Sequence, residues 1–256
     1  MQLTGNTILV TGGGSGIGRA LAEAFHDHGN TVIIAGRRQE QLDETTAANP
    51  RMKSAVLDIG DKRSIESFAT DFTQRYPALN MIIHSAGIMR LEYLTDSKLD
   101  DAEATVATNL LGPIRLNAAL LPLLQLQARA SIMTVSSGLA FLPKAMAPTY
   151  CATKAAIHSY TQSLRYQLKD THVQVIELIP PYVQTELMGA QQARDPLAMP
   201  LKKFIAEVLA ILEEKPDAME ICVDRVKPLR FAESSGNYEG LFRNFNDAQS
   251  AASTGQ

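Results

Sequence analysis

The segment TILVTGGGSGIGRALAEAF, residues 7–25, passes from a short apolar run through a glycine-rich turn straight into a helical pattern. Five of the seven residues from Gly12 to Gly18 are glycine. A backbone without Cβ atoms turns tightly and lets a ligand come close. The helix that follows offers free N–H groups and the positive end of its dipole, the arrangement that holds a phosphate. The spacing is T-G-x-x-x-G-x-G, on Thr11, Gly12, Gly16 and Gly18 with Ser15 and Ile17 between, and it matches G-x-G-x-x-G in no register. The loop is expected to bind the phosphates of a nucleotide through Gly12, Ser15, Gly16, Ile17 and Gly18.

The same strand-then-helix rhythm continues along the chain. Apolar runs at 7–12, 31–36, 54–58, 81–87, 130–137 and 173–180 alternate with helical patterns near 17–29, 38–48, 61–76, 99–126 and 150–170. The runs are continuously apolar, as strands covered on both faces must be. Such alternation predicts an α/β fold, a doubly wound parallel sheet of the Rossmann-like kind with helices on both faces and about seven strands in one domain. Residues 220–223 supply the seventh strand. The domain is expected over 1–245. A polar, proline-punctuated insertion near 186–204 reads as a binding loop or lid, and 246–256 as a disordered tail.

Composition narrows the function. With 24 basic and 27 acidic residues the net charge is −3, which gives a nucleic-acid partner no electrostatic support. Cys151 and Cys222 make neither a disulfide framework nor a ligand set, and the five histidines are scattered, so no metal is expected. No stretch reaches the roughly 18 apolar residues of a membrane span, and no apolar signal core follows the start. A cytoplasmic protein is expected.

TGGGSGIG at 11–18, SAG at 85–87, NLLG at 109–112, VSS at 135–137 and YCATK at 150–154 occur in an order that resembles the short-chain dehydrogenase/reductase family over roughly residues 5–187. The resemblance implies a nicotinamide cofactor. Asp58 and Ile59 would contact its adenine, Ser85, Ala86 and Gly87 would pass near its ribose, and Val183 and Thr185 would meet its carboxamide. Asn109 would serve a water-mediated proton relay, and Lys154 would hold the nicotinamide ribose. Homo-oligomers, dimers or tetramers, are common in the family. Two positions depart from its usual pattern: His84-Ser85 where Asn-Asn is frequent, and Pro181 where glycine is.

At the end of the second strand, Gly36 stands where an acidic residue would grip an adenosine ribose, and Arg37 and Arg38 follow. A guanidinium pairs with a 2′-phosphate, which an acidic side chain would repel. NADP is therefore expected, read by Arg37, with NAD as the alternative.

Tyr150 and Lys154 are four apart, so they share a helix face. A phenol's pKa near 10 is too high for it to act as a base at neutral pH, and a neighbouring ammonium favours the phenolate, as does the positive nicotinamide ring of the oxidised cofactor. Tyr150 is expected to move the alcohol proton, with Ser137 at the end of the fifth strand holding the substrate oxygen and Ser136 as the other candidate. Between them, GLAFLPKAMAP at 138–148 suggests apolar walls from Leu139, Phe141, Leu142 and Met146, with Lys144 as the one charge; Tyr182 and Met188 would close the far side. The expected activity is hydride transfer between NADP(H) and a ketone or secondary alcohol with an apolar body. The alternatives are NAD-dependent alcohol oxidation by the same site, a non-catalytic dinucleotide-binding sensor or scaffold, and a nucleotide-sugar epimerase or dehydratase.

Overall fold

A computed structural model describes residues 1–96 and 98–254. The strands are β1 Thr7–Thr11, β2 Thr31–Gly36, β3 Lys53–Val56, β4 Met81–His84, β5 Ala130–Val135, β6 Val173–Leu178 and β7 Glu220–Ile221. The helices are α1 Gly16–Asp27, α2 Gln39–Ala48, α3 Lys62–Arg75, α4 Asp100–Val106, α5 Gly112–Gln125, α6 Pro148–Gln167, α7 Leu201–Glu214, α8 Lys227–Arg230 and α9 Tyr238–Thr254. Between α4 and α5 the chain keeps turning as a π-helix, Ala107–Leu111.

All seven strands are parallel, in the order β3-β2-β1-β4-β5-β6-β7. Because strand side chains alternate between faces, each central strand feeds two cores. Ile8, Val10, Ile34 and Ile176 pack with Leu21 and Phe25 of α1 and Phe204 and Val208 of α7. Leu9, Ile33, Ile82 and Ile132 face the other way, onto Phe68 and Phe72 of α3 and Leu116 and Leu120 of α5. This is why the runs are apolar without alternation: both faces of the sheet are interior.

The order reverses between β1 and β4, and open α/β sheets bind ligands beyond the carboxyl ends of their strands at such a switch point. The glycine loop after β1 and Ser85–Gly87 after β4 meet there.

The backbone from 246 to 254 continues α9. The helix is anchored, since the Asn246 amide donates to Pro143 O (3.1 Å) and Ala145 N–H donates to Asn246 Oδ1 (2.7 Å). Residues 255–256 lie outside the described residues.

Candidate active site

At the carboxyl edge of the sheet lies a cleft of about 640 Å³. Gly12, Ser15, Gly16, Ile17 and Gly18 form one part of its wall, with Arg37, Ile59, Ser85, Ala86 and Gly87. Ser137, Leu139, Tyr150, Lys154, Tyr182, Val183 and Thr185 form the rest. Two expected site residues, Asp58 and Asn109, stand behind the wall instead.

The glycine loop has the shape its spacing implied. Gly12 and Gly16 take left-handed φ values of +70° and +52°. A Cβ on Gly18 would lie 2.4 Å from Gly12 O, and one on Gly13 would lie 2.6 Å from Ile34. Ser15 precedes α1 but its hydroxyl does not cap the helix, which leaves the first-turn N–H groups for an anion. That hydroxyl instead accepts from Arg38 (3.4 Å). Arg38 also lines the cleft beside Arg37, although its place in the sequence equally suited an ordinary helix start. These features fit a dinucleotide: a bare backbone cradle, an uncapped helix and two exposed guanidiniums at the β2 end.

Asp58 turns inward on its own loop, with its Oδ1 accepting from Gly60 N–H (2.9 Å). Asn109 sits in the π-helix, a local widening often found at functional sites, and its amide is fully engaged. Its Oδ1 accepts from Ile88 N–H (2.9 Å), while its Nδ2 donates to Ile88 O (2.8 Å) and Thr153 Oγ1 (3.3 Å). The residue thus bolts the loop after β4 to α6.

At the reaction end, the Lys154 ammonium donates to Val135 O (2.8 Å) and lies 5.6 Å from the centre of the Tyr150 ring. Both residues are buried. Burial pushes Lys154 down to about 8, with the carboxylate of Glu177 pulling the other way. Burial also pushes the Tyr150 phenol up, opposed by the Ser137 hydroxyl and reinforced by Cys151. In the protein alone, loss of water around the pair disfavours the charged form of each. The Ser137 hydroxyl beside the phenol favours Ser137 over Ser136 as the substrate-facing serine. Ser137 Oγ also accepts from Leu139 N–H (3.1 Å), whereas Ser136 Oγ is buried without a partner among the described residues.

The walls around Tyr150 are apolar. Met89, Ala147, Tyr150 and Cys151 form a small cluster against Leu139, Leu187 and Met188. Phe141, Leu142 and Met146, expected there too, do not line the cleft; Phe141 turns away and stacks edge-on with His158 at 4.7 Å. His158 in turn meets the wholly buried Glu177 at 2.8 Å. Glu220 is close to that pair, but Arg230 already holds both of its oxygens at 2.9 Å.

Sequence reasoning missed three contributors besides Arg38. Gln192, in the insertion, donates to Val183 O (2.8 Å) and Thr185 Oγ1 (3.1 Å) and so fixes the far wall. Asp195 accepts from the Tyr182 hydroxyl (3.0 Å), and together with burial this pushes that phenol up to about 12. Phe245 of α9 lines the cleft from the segment next to the expected tail. No motif marks any of them; only the fold brings them near.

His84, where the pattern departs from asparagine, is buried with Nε2 donating to Asn117 Oδ1 (2.7 Å), while Nδ1 has no partner among the described residues. Burial pushes its pKa down to about 4. The unfolded chain then binds a proton below about pH 6.5 that the native state refuses until about pH 4, so stability falls as pH drops through that window. The full shift corresponds to roughly 3 kcal/mol. His84→Asn is expected to lose about 2–3 kcal/mol less than the parent between pH 7 and pH 4.5 in urea denaturation. Equal losses would show that His84 is not the acid-sensitive group.

The comparisons agree with this geometry. The family model for short chain dehydrogenase matches residues 6–196. The chain is 38% identical over 252 residues to the uncharacterized oxidoreductase DltE of Bacillus subtilis (strain 168), covering 96% of this chain and 98% of that one. A short-chain dehydrogenase from Streptomyces avermitilis superposes with a TM-score of 0.80 at 26% identity, over 96% of this chain and 98% of that one. The closed form of a serine dehydrogenase complexed with NADP+ superposes at 0.75 and 25% identity, over 83% and 93%. With the glycine cradle at the switch point and the family match running from β1 into the insertion, the chain belongs to the short-chain dehydrogenase family of oxidoreductases.

Proposed function

We propose that the protein interconverts a ketone and a secondary alcohol with an apolar body, using NADP(H). The observation that carries the reading is the convergence of Ser137, Tyr150 and Lys154 in an apolar-walled cleft continuous with the glycine cradle. The loop from Gly12 to Gly18 would hold the pyrophosphate, with Ser15 and Ile17 in its turn. Arg37, helped by Arg38, would take the 2′-phosphate, Ile59 the adenine, Ser85–Gly87 the adjoining ribose, and Val183 and Thr185 the nicotinamide end. When bound, the nicotinamide supplies or accepts the hydride.

The chain's own residues manage the proton. In reduction the Tyr150 O–H donates to the substrate oxygen and releases its proton there as the carbonyl becomes an alcohol; in oxidation the phenolate takes it back. Ser137 Oγ–H donates a hydrogen bond to the same oxygen and stabilises its developing charge. Lys154, which donates to Val135 O near the phenol, would hold the ribose hydroxyls and, when protonated, favour the phenolate. Burial raises the phenol, and the positive charge of a bound oxidised nicotinamide would favour its phenolate in the alcohol-oxidising direction. Asn109 enters as a brace between Ile88 and Thr153, and Asp58 as the shaper of the turn that presents Ile59. Leu139 and Tyr182 flank the substrate.

Nothing in a sensor or scaffold calls for all three of Ser137, Tyr150 and Lys154. The proposal extends to a cytoplasmic dimer or tetramer. Among the described residues no helix is long and apolar enough to cross a membrane.

Fluorescence titration with NADPH and with NADH tests the cofactor. NADPH is expected to bind at least about tenfold more tightly, about 1.4 kcal/mol, and Arg37→Ala to erase most of that margin while sparing NADH. A preference for NADH would restore the NAD alternative, and binding of neither would remove the dehydrogenase reading.

A further inference from the structure

We infer that the substrate carries a carboxylate and that Lys144 receives it. The inference rests on the carbonyl reading above and narrows it to keto or hydroxy acids whose reacting carbon and carboxylate are joined by an apolar stretch. Lys144 lines the cleft together with Leu139, Tyr150 and Phe245. It is half-buried, yet its ammonium has no ion pair or hydrogen bond among the described residues. Burial pushes its pKa down, with only Cys151 opposing.

Other half-buried cations in the chain are satisfied. Arg230 holds Glu220, Arg19 holds Glu23 and Glu44, and Arg165 donates to Val175 O and Met219 O. A partly dehydrated ammonium without an acceptor costs stability, and an incoming carboxylate offsets that cost.

The loop that carries Lys144 is pre-organised for a ligand. Its N–H donates to Cys151 Sγ (3.3 Å), its carbonyl accepts from Ala147 N–H (3.0 Å), and Asn246 of α9 brackets it at Pro143 and Ala145. An ammonium on a fixed loop binds an anion with less ordering cost than one on a mobile loop.

The cofactor's phosphates do not account for this charge. Arg37 and Arg38 follow β2, whereas Lys144 follows β5, three strand spacings away, or roughly 14 Å at the ordinary interstrand distance. Arg90 adds positive charge to the cleft and is only loosely engaged, 3.7 Å from Asp101. Of the two carboxylates in the cleft wall, Asp195 is already bonded to Tyr182 and Leu197, and Glu186 is exposed. One compact ammonium amid apolar walls suits a singly charged carboxylate.

The test titrates butanoate, pentanoate and hexanoate, and their amides, into the NADPH-loaded protein by calorimetry. At least one acid is expected to bind about tenfold or more tighter than its amide. Lys144→Met should abolish that margin and Lys144→Arg should keep most of it, with NADPH binding unchanged in both. In turnover, 4-oxopentanoate should be favoured over its methyl ester by a similar factor in kcat/KM, and only when Lys144 or Arg is present. No acid outbinding its amide, or a margin that survives Lys144→Met, overturns the inference. Failure of the parent protein to bind NADPH would instead strike the dehydrogenase reading, and the same acids and amides titrated into the protein alone would then decide the part of Lys144.

Discussion

Tyr150→Phe is expected to lower turnover by about 10²–10⁴-fold, the range a positioned general acid or base contributes, while NADPH binds as before. The substitution removes one oxygen from a ring that is 6% exposed and packed against Met89 and Cys151. The ring's contacts persist, so the melting temperature should stay within a few degrees of the parent. Steady-state kinetics with NADPH and a carbonyl substrate, beside a fluorescence titration of NADPH, separate the two effects. Turnover that survived would sink the proton assignment and leave the cleft as a binding site. The phenol is buried, with the Ser137 hydroxyl as its polar neighbour and Lys154 directed at Val135 O. Ser137→Ala should therefore lower turnover as well, by the smaller factor of about 10²–10³ associated with one lost hydrogen-bond donor to a developing oxyanion.

What was legible in the sequence was whatever local spacing controls. The glycine cradle could be read because its conformation depends on residues within one turn, and the Tyr150–Lys154 pair because i and i+4 share a helix face. The sheet could be read because burial on both faces forces unbroken apolar strands. What could not be read depends on where distant segments meet. Asn109 spends its amide on Ile88 and Thr153, contacts 21 and 44 residues away along the chain. Phe245 reaches the cleft only because α9 docks on the loop at Pro143–Ala145, and its small polar residues gave no sign of that anchor. For the same reason, i,i+4 spacing places a charge near a phenol but says nothing about how much water the fold removes from both.

The glycine loop gives the second large effect. At Gly12 the backbone is left-handed, and a Cβ would stand 2.7 Å from Ala86 Cα and 2.8 Å from Ala86 N. Both obstacles are backbone, so no side-chain rotation relieves them. Gly12 N–H also donates to Ala35 O (2.7 Å), and Thr11 Oγ1 accepts from Ala86 N–H (3.2 Å), so the turn cannot retreat without loosening its ties to β2 and β4. Gly12→Ala is expected to cost about 1–2 kcal/mol for the left-handed φ and about 1–3 kcal/mol for overpacking. At this chain length that lowers the melting temperature by roughly 4–20 °C. Gly29 is the control: its φ is +79°, but nothing lies within 4 Å of a Cβ there. Gly29→Ala should carry only the first cost and bind NADPH normally, whereas Gly12→Ala, which pushes the β1 turn away from the β4 loop across the cofactor crevice, should weaken NADPH by about tenfold or more, about 1.4 kcal/mol. Equal melting losses and equal NADPH affinities in the two variants would mean that the close approach of Gly12 to Ala86 is not what shapes the crevice, and that left-handed backbone alone accounts for both glycines.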